Sequence, residues 1–196
     1  ELYYEPLVPS SGIQSQLPVL LTEYAFYDKE DVEHYLTLLS DIDRYFEQIL
    51  AFEKERSAAG LFMTDTCADE IISQAQPYLL SAEHNLMGTE FNTKIDAMEG
   101  LNAEEKKAFK EQNQQVVTEH FIPAYKALLE GLEALKGTGT NAEGICQFPD
   151  GKLYYQYLVD SSIGPTYQTM DDLQKAIEDQ IDDSLSAMSQ IMKQNP

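Results

Sequence analysis

A hydrolytic metal site needs imidazole or carboxylate ligands converging on one ion, and a carboxylate placed to take a proton from water. The chain offers three histidines, His34, His84 and His120, and each follows a glutamate: Glu33, Glu83 and Glu119. On a helix, two histidines four residues apart point to the same side, which is why the pattern H-E-x-x-H can hold zinc. That pattern is absent. Tyr35, Asn85 and Phe121 stand where its glutamate would follow the histidine, and Glu30, Leu80 and Val116 stand where the inverted form H-x-x-E-H requires its first histidine. Glu30 and His34 can share a helix face, which reads as a surface pair. The expectation is therefore that this chain carries no catalytic residue and no metal ligand of its own.

Other chemistries also lack their residues. There is no G-x-S-x-G turn to expose a nucleophilic serine, and no S-x-x-K pair. Gly144 to Lys152 resembles a phosphate loop only superficially, with six residues between its glycines and Leu153 where a hydroxyl residue is needed. Gly137-x-Gly139-x-x-Ala142 fits a dinucleotide pattern loosely but follows a helix rather than a strand. Asp41 and Asp43 lack the glycine of a calcium loop. Paired carboxylates of the glycosidase kind arise by chance among 34 acidic residues and carry little weight.

Tyrosine usage is more informative, with 12 Tyr and no Trp. Tyr154, Tyr155 and Tyr157 follow Gly151-Lys152 directly. A tyrosine packs its ring and still offers a hydroxyl to a ligand. Lys152, Tyr154 and Tyr155 are thus candidates to line a substrate cleft. The alternative is that the cluster stitches a connector to the helices beside it.

The elements that must position these residues are mostly helices. Asp28 with Asp31, Ser40 with Asp43, Thr66 with Asp69, Asn102 with Glu105 and Thr169 with Asp172 each read as a helix start, a capping oxygen followed by a second acceptor or acid three residues on. Apolar residues then recur at helical spacing. Examples are Val32, Tyr35, Leu36 and Leu39, then Val117, Phe121, Ala124, Leu128 and Leu132, and finally Leu173, Ile177, Ile181, Leu185, Met188 and Ile191. Such stripes read as bundle core. Pro77 is expected to bend or end one helix, and Pro123 to kink the longest. Residues 1–27, punctuated by Pro6, Pro9 and Pro18, read as an irregular or short β arm, with a helix starting at Pro18 as the alternative. Residues 137–169 read as a loop-rich connector, with aromatic-rich Lys152 to Val159 as a strand or a short helix within it. The fold expected is mainly α, a helical bundle-like array over a single region, 1–196.

With 34 acidic against 13 basic side chains, the net charge is −21. Such a surface repels phosphate backbones and anionic headgroups, so nucleic acid is not an expected partner. No apolar run approaches the roughly 20 residues of a membrane span, so no direct membrane insertion is expected. Cys67 and Cys146 are too few for a cysteine-rich zinc site, and whether they pair stays open.

Several segments together resemble a known family. Tyr4-Glu5-Pro6-Leu7-Val8-Pro9-Ser10-Ser11-Gly12-Ile13-Gln14, Gln16 to Tyr24, Asp31 to Leu36 followed by Arg44-Tyr45-Phe46, and Gly60 to Met63 are similar to the DUF885 family and its lipoprotein-like bacterial members. So are Pro123-Ala124-Tyr125 with Leu128 and Leu132, Pro149-x-Gly151-Lys152-x-Tyr154-Tyr155, and Thr169 to Asp172. Order and spacing carry the resemblance; no single motif does. It implies a helix-rich, gluzincin-like zinc peptidase whose H-E-x-x-H helix lies in the later half of family members. This chain would then be a non-catalytic, truncated amino-terminal portion, one wall of a substrate cleft. Its partners would be the missing C-terminal half of its own domain and a peptide substrate. Zinc is expected in the full-length protein and no cofactor in this chain. The same resemblance implies an extracellular or cell-surface lipoprotein. The competing reading is a helical extracellular binding or scaffold module without enzymatic activity.

Overall fold

The structure is a computed structural model that describes residues 2–140, 144–164 and 169–194. Ala142, which would close the loose dinucleotide pattern, lies outside the described residues, as do 141–143 and 165–168 of the expected connector. The chain forms two compact units, Glu1–Ala142 and Glu143–Pro196.

The first unit is an array of seven α-helices: α1 Ile13–Glu23, α2 Lys29–Ser40, α3 Ile42–Ala58, α4 Asp65–Ala75, α5 Leu86–Ala97, α6 Ala103–Val116 and α7 Ile122–Leu135. Two starts follow the expected chemistry closely. The Asp28 carboxylate accepts from the Asp31 N–H while the Asp31 carboxylate accepts from the Asp28 N–H, a reciprocal capping box. Asn102 and Glu105 do the same for α6. Two starts differ. Thr64, not Thr66, caps α4, its hydroxyl accepting from the Cys67 N–H at 3.2 Å. Ser40 caps nothing; its hydroxyl donates back to the Thr37 carbonyl, and Asp41 precedes α3 with its carboxylate turned to Arg44.

The amino-terminal arm is corrected by the structure. No strand occurs among the described residues. Residues 2–12 are irregular, and α1 already begins at Ile13 with Pro18 inside it. Side chains meet the needs of the arm's backbone without a ladder. Gln14 Nε2 donates to the Val8 carbonyl at 2.7 Å, and Arg56 Nε donates to the Leu2 carbonyl at 3.1 Å. Ser10 takes the turn at φ 67°.

Helix α7 lies at the centre of this unit and packs against α3 and α4. Its stripe, Phe121, Ala124, Tyr125, Leu128 and Leu132, is buried. Tyr125 meets the rings of Phe46, Tyr78 and Phe121 at centroid separations of 4.7–4.8 Å, within the range of favourable aromatic pairs. A second aromatic group joins Phe26, Tyr35 and Phe91. Between α6 and α7 the rod does not break. Val117–Phe121 form a π turn, in which the Ile122 N–H reaches the Val117 carbonyl five residues back. Pro123 has no N–H to give, and the looser turn just ahead of it accommodates that missing donor within a continuous rod.

The second unit holds α8, Gly151–Ile163, and α9, Met170–Gln194. Of the readings of 137–169, the short helix at Lys152 to Val159 holds and the loop-rich one is corrected: a 3₁₀ turn, Ile145–Gln147, leads into a helix of 13 residues. Gly151 permits this close join, because a Cβ there would stand 1.6 Å from the Ile145 carbonyl oxygen. The stripe of α9 is likewise not core. Ile177, Ile181, Leu185, Met188 and Ile191 lie on one amphipathic helix, and each is between 51% and 60% exposed.

Candidate functional site

The three histidines are each engaged locally. His34 lies 3.8 Å from Glu30 on the outer face of α2, the pair expected from their spacing. His84 Nδ1 is 3.1 Å from the Ser81 hydroxyl. His120, in the π turn, places Nδ1 2.8 Å from Asp43 Oδ2 of α3. That hydrogen bond holds the Asp43 carboxyl below its ordinary value. Among the described residues, no three His, Cys, Asp or Glu side chains gather as ligands for one ion. The donor set of the described residues does not fit a hydrolytic zinc.

The cleft candidates all fall on α8. Lys152 and Tyr155, one helical turn apart, line a depression of about 550 Å³ with Ile145, Cys146, Gln156 and Met170. Tyr155 is half exposed there. Tyr154 lies on a different face and stacks against Tyr157 at 6.1 Å. The depression therefore joins an ammonium, a phenol and an apolar floor. Those groups can hold a chain carrying a carbonyl and an apolar side chain. Cys146 and Ile145 join it only because Gly151 brings the 3₁₀ turn against α8, a contact that hydrophobic periodicity does not signal.

Sequence pattern also misses a buried charge cluster in the first unit. Arg56 Nη1 donates to both Glu53 carboxylate oxygens at 3.1 Å, and Nη2 to Glu5 at 3.2 Å. Both Glu53 and Arg56 are fully buried. Burial raises the Glu53 carboxyl above its ordinary value, against the pull of the Arg56 guanidinium. Together with the bond from Arg56 to the Leu2 carbonyl, the cluster clamps the amino-terminal arm onto α3.

Lys94 of α5 performs a similar service for α1. Its ammonium donates to the carbonyls of Thr22 and Tyr24, at the helix end where the macrodipole favours a cation. It also sits 5.3 Å from the centroid of the Phe26 ring. These clamps are architecture, and none presents an open reactive group.

The chain is thus a helical domain whose fold is shared with a larger solved protein. The crystal structure of a putative lipoprotein from Colwellia psychrerythraea matches it with a TM-score of 0.74 and 20% identity, covering 79% of this chain and 27% of that one. The chain accordingly spans about a quarter of that relative's length, and at this identity the likeness shows the fold alone. None of the curated proteins matches the sequence. A family model described as "bacterial protein of unknown function (DUF885)" matches residues 2–196. The chain belongs to the DUF885 family. No helix among the described residues is long and apolar enough to cross a membrane.

Proposed function

We propose that this chain is the non-catalytic amino-terminal portion of a zinc-dependent peptidase, forming one wall of its substrate cleft. The observation that carries the reading is the uncovered stripe of α9, Ile177 to Ile191, on a chain that spans 27% of a solved relative. A 25-residue amphipathic helix gains little from exposing that face to water. The remainder of the peptidase is the partner that covers it. Zinc and its ligands belong to that remainder. Lys152, Tyr154 and Tyr155 contribute to the cleft wall, and the net charge of −21 favours basic peptides. The assembled protein acts outside the cell or at its surface as a lipoprotein.

The test compares this chain with the product of the complete gene. Metal analysis by mass spectrometry and hydrolysis of a peptide library are measured on both. The expected result is no stoichiometric zinc and no cleavage for residues 1–196, and one zinc per chain with cleavage for the longer protein. A full equivalent of tightly held zinc in this chain would overturn the assignment. So would a complete gene product that ends near Pro196, which would favour the helical binding module.

A further inference from the structure

The two borders of the apolar stripe on α9 differ in charge. At about 100° per residue, Asp171, Glu178 and Asp182 fall within about 40° of one another, along the side of the stripe next to Leu185. The opposite border holds Gln180, Ser184 and Ala187 and no charge. Asp172, Asp179 and Asp183 point to the back of the helix. Glu178 accepts from the neutral amide of Gln174 at 2.8 Å. Lys175 stands farther round toward the back, and among the described residues no lysine or arginine makes an ion pair with the three border acids. Over the whole helix six acids stand against Lys175 and Lys193, a net charge of −4.

Three kinds of surface can cover such a stripe, and the charges separate them. A second copy of α9 brings no cation to the acidic border. Laid antiparallel, acid faces acid; laid parallel, acid faces the uncharged border. Two helices of like charge also repel each other. A lipid surface fits no better, since helices that lie on membranes carry Lys and Arg on their polar face, and anionic headgroups repel acids. A protein surface with an apolar seat and cations along one side satisfies both borders. Its cations meet Glu178 and Asp182, while the small side chains of Ser184 and Ala187 allow close approach on the other side.

We infer that α9 docks into an apolar seat on the remainder of the longer protein, bordered by lysines or arginines on the side of Glu178 and Asp182. The acidic border sets the direction in which the helix lies. Turned end to end on the same seat, α9 would place its acids over the uncharged wall and leave the cations unpaired. This rests on the chain being one portion of a longer protein, and it adds the chemistry of the surface that covers the stripe.

Two charge reversals, each of two exposed acids, separate the border from the back of the helix. Glu178→Lys with Asp182→Lys alters the border; Asp179→Lys with Asp183→Lys alters the back. Both are made in residues 1–196 and in the complete gene product, and melting temperatures are read by differential scanning fluorimetry. In the complete product the border reversal should lower the melting temperature by about 3 °C or more beyond the back reversal. Salt at about 1 M should shrink that difference to about half or less. In residues 1–196 the two reversals should act alike. Glu178→Gln with Asp182→Asn removes the charge without reversing it; it should lose about half as much and decides the matter if the reversed protein does not assemble. Equal melting temperatures for border and back variants of the complete product overturn the inference. If Ile181→Glu with Leu185→Glu still destabilises that product, the stripe is covered and only the basic border fails. Sedimentation of residues 1–196 as a dimer that the same apolar pair of substitutions disperses overturns it, as does binding of residues 1–196 to phosphatidylcholine–phosphatidylglycerol vesicles. A complete gene product that ends near Pro196 overturns it together with the reading it rests on. Zinc content and peptide cleavage are separate readouts, so a longer protein without peptidase activity leaves the docking result standing.

Discussion

The hydroxyl of Tyr125 donates at 2.7 Å to the carbonyl of Gln14, the carbonyl that Pro18 cannot serve. In an unbroken helix, the residue four positions on would supply that hydrogen bond. Pro18 has no N–H, so α1 carries an orphaned acceptor in its interior, and a side chain 111 residues away satisfies it. Tyr125→Phe should therefore destabilise the fold by about 1–3 kcal/mol, the cost of stranding a buried acceptor. Adding Pro18→Ala restores an in-helix donor, so the double variant should lose less than the sum of the single losses. Urea unfolding of the four proteins measures that coupling; strictly additive losses would refute it.

Among the described residues, Arg56 is the cation paired with Glu53, and both are out of water. Arg56→Ala should cost about 3–5 kcal/mol, because it leaves a buried carboxylate unpaired. Replacing both residues with apolar ones of similar volume should cost less. The pH dependence follows from Glu53, whose folded-state carboxyl is raised above its ordinary 4.5 by burial. The folded protein holds that proton more tightly than the unfolded chain. Its contribution is fully present below 4.5 and is lost as pH rises through the elevated value. Glu53→Gln should remove that part of the slope in thermal melts recorded across the weakly acidic range.

Asp43 behaves with the opposite sign. His120 lowers its carboxyl below the ordinary 3.8, so its stabilisation is present above that value and fades as pH falls beneath it. The carboxylate is 44% exposed, and solvent screening limits the pair to about 1 kcal/mol or less. Asp43→Asn should lower stability by about 1 kcal/mol or less above pH 4 and flatten the acid limb of a denaturation curve below it, where the wild type loses that contribution.

The outer face of α9 offers a separation of folding from assembly. Ile181→Glu with Leu185→Glu changes side chains that are more than half exposed. Such changes should shift the unfolding free energy of this chain by no more than about 0.5 kcal/mol. If the remainder of a longer gene product docks on the stripe, as proposed, the same pair should lower the stability of that product several-fold more. Equal effects in both proteins would count against the docking role of α9.

The sequence revealed the helices wherever local chemistry decides them. Asp28, Asn102 and Thr169 act at helix starts as expected, because a capping oxygen and its partner lie within one turn of each other. Thr66 misled, because Thr64 offers the same hydroxyl two residues earlier in an extended conformation. The β part of the arm failed for another reason: its proline pattern fits a strand edge, but the side chains of Arg56 and Gln14, rather than a neighbouring strand, meet its backbone needs. Periodicity found the stripe of α9 and could not tell whether anything covers it. Lys152, Tyr154 and Tyr155 were grouped by their run in sequence, but Tyr154 turns away from the other two, since neighbours in a helix diverge by about 100°.

The π turn at Val117–Phe121 has a consequence for how the array can change over time. It works as a phase shifter in a single spine: α6 addresses α2 and α5, while α7 addresses α3 and α4. Deleting one residue there would close a regular α turn and leave α7 with nearly its present facing, because the wider π turn holds one residue more for about the same rotation. Tyr125 would then stay beside Gln14, and the buried seam of α7 would keep its partners. A one-residue change of length is thus absorbed at this turn, whereas at any other place in the spine it would turn one half by about 100° against the other.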